Sequence, residues 1–139
     1  MEKKVILITG ASSGIGLSTA IQLMNKGYRV YAASRSGSEN STSKNGGEII
    51  STKMNVNSEE EIKKVLDEIL EQNGHLDAVI SNAGNGIAGS IEDTSIEEAK
   101  YQFETNFFGA VRVIQACLPI FRKQGYGKII ATSSVAAIV

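Results

Sequence analysis

Apolar and polar positions along this chain fall into two alternating rhythms. Short continuous apolar runs stand at Val5-Ile6-Leu7-Ile8, Val30-Tyr31-Ala32-Ala33, Ile49 to Val56, Ala78-Val79-Ile80 and Ile129-Ile130-Ala131. Each reads as a strand buried on both faces. Between them the spacing turns helical, most clearly at Ile62, Val65, Leu66, Ile69 and Leu70, a pattern of i, i+3, i+4, i+7, i+8. Ser58-Glu59-Glu60-Glu61 opens that helix as a capping box, in which Ser and Glu satisfy each other's free backbone donors. A second box, Ser95-Ile96-Glu97-Glu98, opens a long helical region that ends near Gly125, and Gly27 and Gly74 mark helix stops.

Strands alternating with helices predict an α/β fold: a Rossmann-type, doubly wound parallel sheet of about five strands in the order 3-2-1-4-5, with helices on both faces. The polar stretch from Ser36 to Gly47 has no periodicity and reads as a solvated connection between the second and third strands. With 139 residues, no repeat and no linker, the chain makes one domain, 1–139.

Composition narrows the chemistry. Fourteen basic against fifteen acidic side chains give a net charge of −1, too little positive charge for binding nucleic acid by phosphate neutralisation. One cysteine and one histidine do not furnish a structural zinc site, and a lone Cys117 makes no internal disulfide. No apolar run approaches a membrane span, and Met1-Glu2-Lys3-Lys4 leads straight into a strand rather than a signal peptide. The expectation is a cytoplasmic protein with no membrane partner.

The candidate chemistry begins after the first strand, at Thr9-Gly10-Ala11-Ser12-Ser13-Gly14-Ile15-Gly16. A turn between strand and helix aims backbone N–H groups and the positive end of the helix at one point, where a phosphate can sit. Gly10 and Gly14 allow the tight turn and Gly16 lets the helix pack near the sheet. The absence of a Gly-Lys-Ser/Thr ending excludes a triphosphate P-loop and favours a dinucleotide.

The spacing Gly10-x-x-x-Gly14-x-Gly16 resembles the cofactor signature of the short-chain dehydrogenase/reductase family. Ser81-Asn82-Ala83-Gly84, Thr105-Asn106-Phe107-Phe108-Gly109 and Thr132-Ser133-Ser134-Val135 resemble further motifs of that family in the same order, and Asn82 to Pro119 is most similar to its 17β-hydroxysteroid-dehydrogenase-like branch. The resemblance implies hydride transfer between a nicotinamide dinucleotide and a secondary alcohol or ketone. Ser12, Ser13 and Ile15 join the three glycines as cofactor-binding positions, Asn82, Ala83 and Gly84 line the crevice, and Asn55-Val56 stands where the family reads the adenine. Asn106 matches the family's catalytic Asn and Ser134 the Ser that holds the substrate oxygen.

At the end of the second strand a carboxylate would bind ribose hydroxyls and repel a 2′-phosphate. Ser34-Arg35 stands there instead. A hydroxyl beside a guanidinium suits a phosphate, and the expected cofactor is NADP(H).

The family's Tyr-x-x-x-Lys pair has no match. Four positions after Tyr28, Tyr31, Tyr101 and Tyr126 come Ala32, Arg35, Thr105 and Ile130. Together with the apolar run Ala136-Ala137-Ile138-Val139, where termini are normally polar, this fits an enzyme sequence cut after its fifth strand and inactive by itself. A non-catalytic NADP-binding module and a half-chain completed by a partner are the alternatives.

The long helix adds an expectation about assembly. Phe107, Val111, Ile114, Leu118 and Phe121 form one apolar stripe suited to the sheet, while Ala110, Val113, Cys117 and Ile120 form a second, available for helix-to-helix contact in a homodimer or homotetramer.

Overall fold

The computed structural model describes residues 3–135, so the run Ala136-Ala137-Ile138-Val139 lies outside the described residues. Six strands form one sheet: β1 (Val5–Thr9), β2 (Arg29–Ser34), β3 (Ser41–Thr42), β4 (Glu48–Lys53), β5 (Ala78–Ser81) and β6 (Lys128–Ala131), in the order β3-β4-β2-β1-β5-β6. All pairings are parallel except that of β3 with β4. The expected order of five parallel strands is therefore present as β4-β2-β1-β5-β6. The sixth strand corrects the reading of Ser36 to Gly47 as plain connection. Ser41 and Thr42 add a short antiparallel edge, opposite Ile49 and Glu48.

Continuous apolar runs form β1, β2 and β5 because the sheet is covered there on both sides; the run at β6 departs from that expectation, since Ile129 and Ile130 at the sheet edge are exposed. Val5 and Leu7 of β1 join one core with Tyr31, Met54, Ile62, Val65, Leu66, Ile69, Val79, Val113, Cys117 and Phe121. Ile6 and Ile8 point the other way, into a core with Ala20, Met24, Val30, Ala32 and Ile49. Helix α1 (Gly14–Asn25) supplies Ala20 and Met24 to the second core, while α2 (Glu59–Asn73) and α4 (Ala110–Gln124) cover the first. Each fully buried Val, Leu or Ile contributes about 1.5–3 kcal/mol, so Leu7, with no exposed surface, is a site where truncation to Ala costs about 2–5 kcal/mol.

The second capping box forms in full at the start of α3 (Ile96–Phe103). Glu98 N–H donates to Ser95 Oγ at 3.2 Å, and Ser95 N–H donates to Glu98 Oε2 at 2.9 Å. That backbone donor and the Ser95 hydroxyl hold the Glu98 carboxyl below its ordinary value. The first box forms only in half. Ser58 Oγ accepts from Glu61 N–H at 3.3 Å, but the Glu61 carboxylate takes the N–H of Asn55 at 2.7 Å. The start of α2 is thereby tied to the turn after β4.

Between α3 and α4 runs a π-helical turn, Glu104–Gly109, which keeps the helical region continuous to Gly125, whose left-handed φ of +78° ends it. The turn is bridged by an ion pair from Arg112 to Glu104. Gly109 lies against the turn after β4: a Cβ there would meet Val56 Cγ2 at 2.6 Å.

The stripes of α4 depart from the expectation in part: Phe121 of the first stripe is buried as expected, but so are Val113 and Cys117 of the second. Val113 and Cys117, assigned to an intersubunit face, have no exposed surface within a single chain, whereas Phe107, assigned to the sheet, is 55% exposed. The core-facing line is Gly109, Val113, Cys117 and Phe121, a run of i+4 steps. Burial in this apolar setting pushes the Cys117 thiol up to about 12.

Candidate functional site

Strand order reverses between β1 and β5, the place where parallel α/β sheets open a crevice beyond their carboxyl ends. A cleft of about 620 Å³ lies at that edge, lined by residues from the turns after β1, β2, β4 and β5 and from the α3 region.

The glycine turn forms its floor. Gly10 has φ +66° and Gly14 φ +56°, the left-handed region where a side chain is strained. A Cβ on Gly10 would lie 2.7 Å from Ala83 Cα, and one on Gly16 2.3 Å from Gly10 O. These contacts let α1 begin directly against the ends of β1 and β5. Ser13, the N-cap of α1, is extended and provides no side-chain cap, and the first turn carries no acidic residue. The N-terminal N–H groups and positive helix end are thus left for an anion from outside the chain. Gly10, Ser12 and Ser13 line the cleft; Gly14, Ile15 and Gly16 follow as the first turn of α1.

Thr9 knits the floor to the next strand. Its Oγ1 accepts from Asn82 N–H at 3.0 Å and Ala83 N–H at 2.9 Å. Asn82 is tied inward by its side chain. Its Nδ2 donates to Thr9 O and Gly10 O, each at 3.2 Å, and its Oδ1 accepts from Thr132 Oγ1 at 3.3 Å. Asn82 braces the ends of three strands, whereas Ala83, Gly84 and Asn85 line the cleft.

Ser34 and Arg35 stand together in the wall at the end of β2. Ser34 is buried, and its Oγ has no hydrogen-bond partner among the described residues. Arg35 is exposed, and Nη1 donates to Tyr101 OH at 3.1 Å. Met54, Asn55, Val56 and Asn57 form the adjoining wall. The Asn55 side chain accepts Asn57 N–H through Oδ1 at 3.0 Å, while Asn57 Oδ1 is buried without a partner among the described residues and its Nδ2 donates to Thr105 Oγ1 at 3.2 Å.

Asn106 lies in the π-helical turn, with Oδ1 accepting from Asn85 N–H at 2.8 Å and Nδ2 donating to Asn85 O at 2.7 Å. Ser133 and Ser134 follow β6 at the same edge of the sheet and are exposed. Sequence reasoning missed Asn57, Asn85 and Tyr101, and named Thr105 only as part of a motif. The first two each follow a recognised motif by one residue, and a polar side chain continuing a motif was the available signal.

A groove of about 460 Å³ between α2 and α4 is lined by Ile62, Leu66, Leu70, Ala116 and Ile120 and holds none of these groups. Among the described residues no cluster of three or more His, Cys, Asp or Glu side chains is placed to hold a metal, and no helix is long and apolar enough to cross a membrane.

Comparison with known proteins resolves the identity of this arrangement. A family model described as short chain dehydrogenase matches residues 4–139. The chain belongs to the short-chain dehydrogenase family. It is 42% identical over 133 residues to "Probable short-chain type dehydrogenase/reductase VdlC" of Helicobacter pylori, covering 96% of this chain and 49% of that one. It is 40% identical over 139 residues to 3-ketodihydrosphingosine reductase of Bacteroides thetaiotaomicron, covering all of this chain and 50% of that one. Among solved short-chain dehydrogenase folds, the NADPH-dependent 3-quinuclidinone reductase from Rhodotorula rubra superposes with a TM-score of 0.85 at 30% identity, over 100% of this chain and 55% of that one. ElxO with NADP bound superposes with a TM-score of 0.86 at 26% identity, over 99% and 58%. The chain spans about half the length of the curated relatives it matches.

Proposed function

We propose that these residues form the NADP(H)-binding part of an oxidoreductase that moves hydride between NADP(H) and a secondary alcohol or ketone. One observation carries the choice of cofactor. At the end of β2, where a carboxylate would favour an unphosphorylated ribose, the cleft wall holds a buried hydroxyl with no partner among the described residues, Ser34 Oγ, beside the guanidinium of Arg35. An unpaired buried hydroxyl is costly, and a phosphate oxygen would satisfy it while the guanidinium supplies charge. The solved relatives named for NADP and NADPH support the same reading.

The residues present fit such a group. The uncapped start of α1 after Ser13 would take the pyrophosphate, with Gly10 and Gly14 admitting it to the backbone. Asn55 and Val56 would wall the adenine, with Asn57 beside them. Ala83 and Gly84 would line the path to the nicotinamide, and Asn82 would hold that path in place. The bound nicotinamide supplies the hydride. Ser134 would hold the substrate oxygen by its hydroxyl, and Asn106 would fix the loop after β5 beside it. The proton donor belongs to a Tyr-x-x-x-Lys pair that these 139 residues do not contain.

Fluorescence titration of the chain with NADPH and NADH tests the cofactor assignment. Loss of a charge-assisted phosphate contact is worth roughly 1.5–3 kcal/mol, or about 10- to 100-fold in affinity. NADPH should bind tighter by that factor, and Arg35→Ala should remove most of the difference. Equal affinities in the unaltered chain would overturn the assignment.

A further inference from the structure

Arg35 reaches across the cleft to a residue outside the resembled motifs. Tyr101 sits on α3, 66 positions away in sequence, and its phenol oxygen accepts from Arg35 Nη1 at 3.1 Å. Among the described residues this is the hydrogen bond that orients the guanidinium; no carboxylate pairs with it.

The chemistry of that acceptor matters. A carboxylate partner would orient Arg35 but neutralise it, and would repel an incoming phosphate. A neutral phenol orients the planar fork and leaves its full charge and remaining N–H donors for a ligand. The backbone that carries this acceptor is anchored on both sides of Tyr101. The Ser95–Glu98 box caps the helix, Ile87 N–H donates to Gln102 Oε1 at 2.9 Å beside Tyr101, and Asn57 Nδ2 ties Thr105 to the opposite wall. Tyr101 is 48% exposed and contributes nothing to either core, so packing does not account for its placement. Both Tyr101 and Arg35 line the cleft that also holds the unpartnered Ser34 hydroxyl.

We infer that Tyr101 is a specificity-determining positioning residue: its hydroxyl holds the Arg35 guanidinium beside Ser34 so that the cleft selects a 2′-phosphorylated adenosine over an unphosphorylated one. The inference rests on the NADP(H) reading above and adds to it the group that keeps Arg35 in place. An unrestrained arginine would have to surrender side-chain freedom on binding, and prior orientation by Tyr101 reduces that cost.

The test compares Tyr101→Phe with the unaltered chain and with Arg35→Ala, titrating NADPH and NADH, and then 2′,5′-ADP and 5′-AMP. Tyr101→Phe keeps the ring and removes only the acceptor oxygen. It should weaken NADPH and 2′,5′-ADP about three- to tenfold, as expected for loss of one hydrogen bond to a charged group acting indirectly. NADH and 5′-AMP should change less than about twofold. Equal weakening of phosphorylated and unphosphorylated ligands would make Tyr101 a structural wall and overturn the inference. Tighter NADPH binding in Tyr101→Phe would make the Arg35–Tyr101 bond an obstructing latch and overturn it as well. If Arg35→Ala abolishes the preference while Tyr101→Phe leaves it intact, the inference fails and the cofactor reading stands. If Arg35→Ala also leaves the preference intact, both fail.

Discussion

The side chain of Asn106 pairs with the main chain of Asn85 as one strand residue pairs with another, donating to its carbonyl at 2.7 Å and accepting from its N–H at 2.8 Å. Asn106 sits in a π-helical turn and Asn85 in the loop that leaves β5. One amide thereby fixes the wall of the cleft to the long helix. Asn106→Ala removes both bonds and should lower the local stability of that loop by about 1–2 kcal/mol. Hydrogen exchange at the Asn85 amide should accelerate by about 5- to 30-fold. Asn106→Asp should be at least as damaging, since an ionised carboxylate cannot donate to the Asn85 carbonyl and faces it instead.

Ser34 separates stability from binding. Its hydroxyl is buried and unpartnered among the described residues, so Ser34→Ala should leave the cofactor-free chain as stable as before or up to about 1 kcal/mol more stable. The same change should weaken NADPH severalfold while sparing NADH. A fall in melting temperature together with unaltered NADPH affinity would contradict the role given to this hydroxyl.

Val113 and Cys117 face the core, and substitutions there should act on folding. Val113→Ala should cost about 2 kcal/mol. Val113→Glu should unfold the chain rather than dissociate an assembly, which circular dichroism and sedimentation distinguish. The Cys117 thiol, pushed up to about 12 from an ordinary 9.0, is neutral in the folded chain. Between those values the unfolded state has released a proton that the native state keeps. Stability therefore falls as pH rises from about 9, by up to about 1.4 kcal/mol per pH unit from this group, and levels off above about 12. Cys117→Ala should flatten that alkaline limb. The native thiol should also resist alkylation at pH 8 and react on denaturation.

The chain of 139 residues should bind cofactor without turning over ketones or alcohols, because it has no Tyr-x-x-x-Lys pair to deliver the alkoxide proton. A longer polypeptide carrying that pair should be active, and Ser134→Ala in it should lower kcat by about 10²-fold or more. Steady turnover by the short chain, with its mass verified, would contradict the assignment of the proton donor.

What the sequence made legible follows from which forces leave a periodic trace. Double-sided burial writes continuous apolar runs, which mark β1, β2 and β5 in the sequence; β6 is equally apolar although it lies exposed at the sheet edge. The edge strand Ser41–Thr42 left no trace because it is held by backbone pairing to β4 and both residues are exposed. Two apolar stripes on α4 could not be ranked by hydropathy alone. Phe107 lies within the π-helical turn, where the helical phase differs from that of α4, so a stripe projected from it meets the core only at Phe121. Glu61 illustrates a further limit: spacing placed it in a reciprocal cap, but the turn after β4 brings the Asn55 N–H within reach and takes the carboxylate. The glycine turn, Ser34 and Arg35 were readable as site residues because their positions relative to strands carry the chemistry. Tyr101 was not, since its place in the cleft depends on a contact with Arg35, 66 positions away in sequence.

The bond between Thr9 and Asn82 also sets a timetable for biosynthesis. Thr9 Oγ1 waits for backbone donors 73 and 74 positions further along the chain, and β1 gains its second neighbour only when β5 pairs with it. At about 5–20 residues per second of translation, β1 spends roughly 4–15 s as an unprotected margin after it leaves the ribosome. During that interval Val5, Ile6, Leu7 and Ile8 present an apolar strand with a free row of N–H and C=O groups.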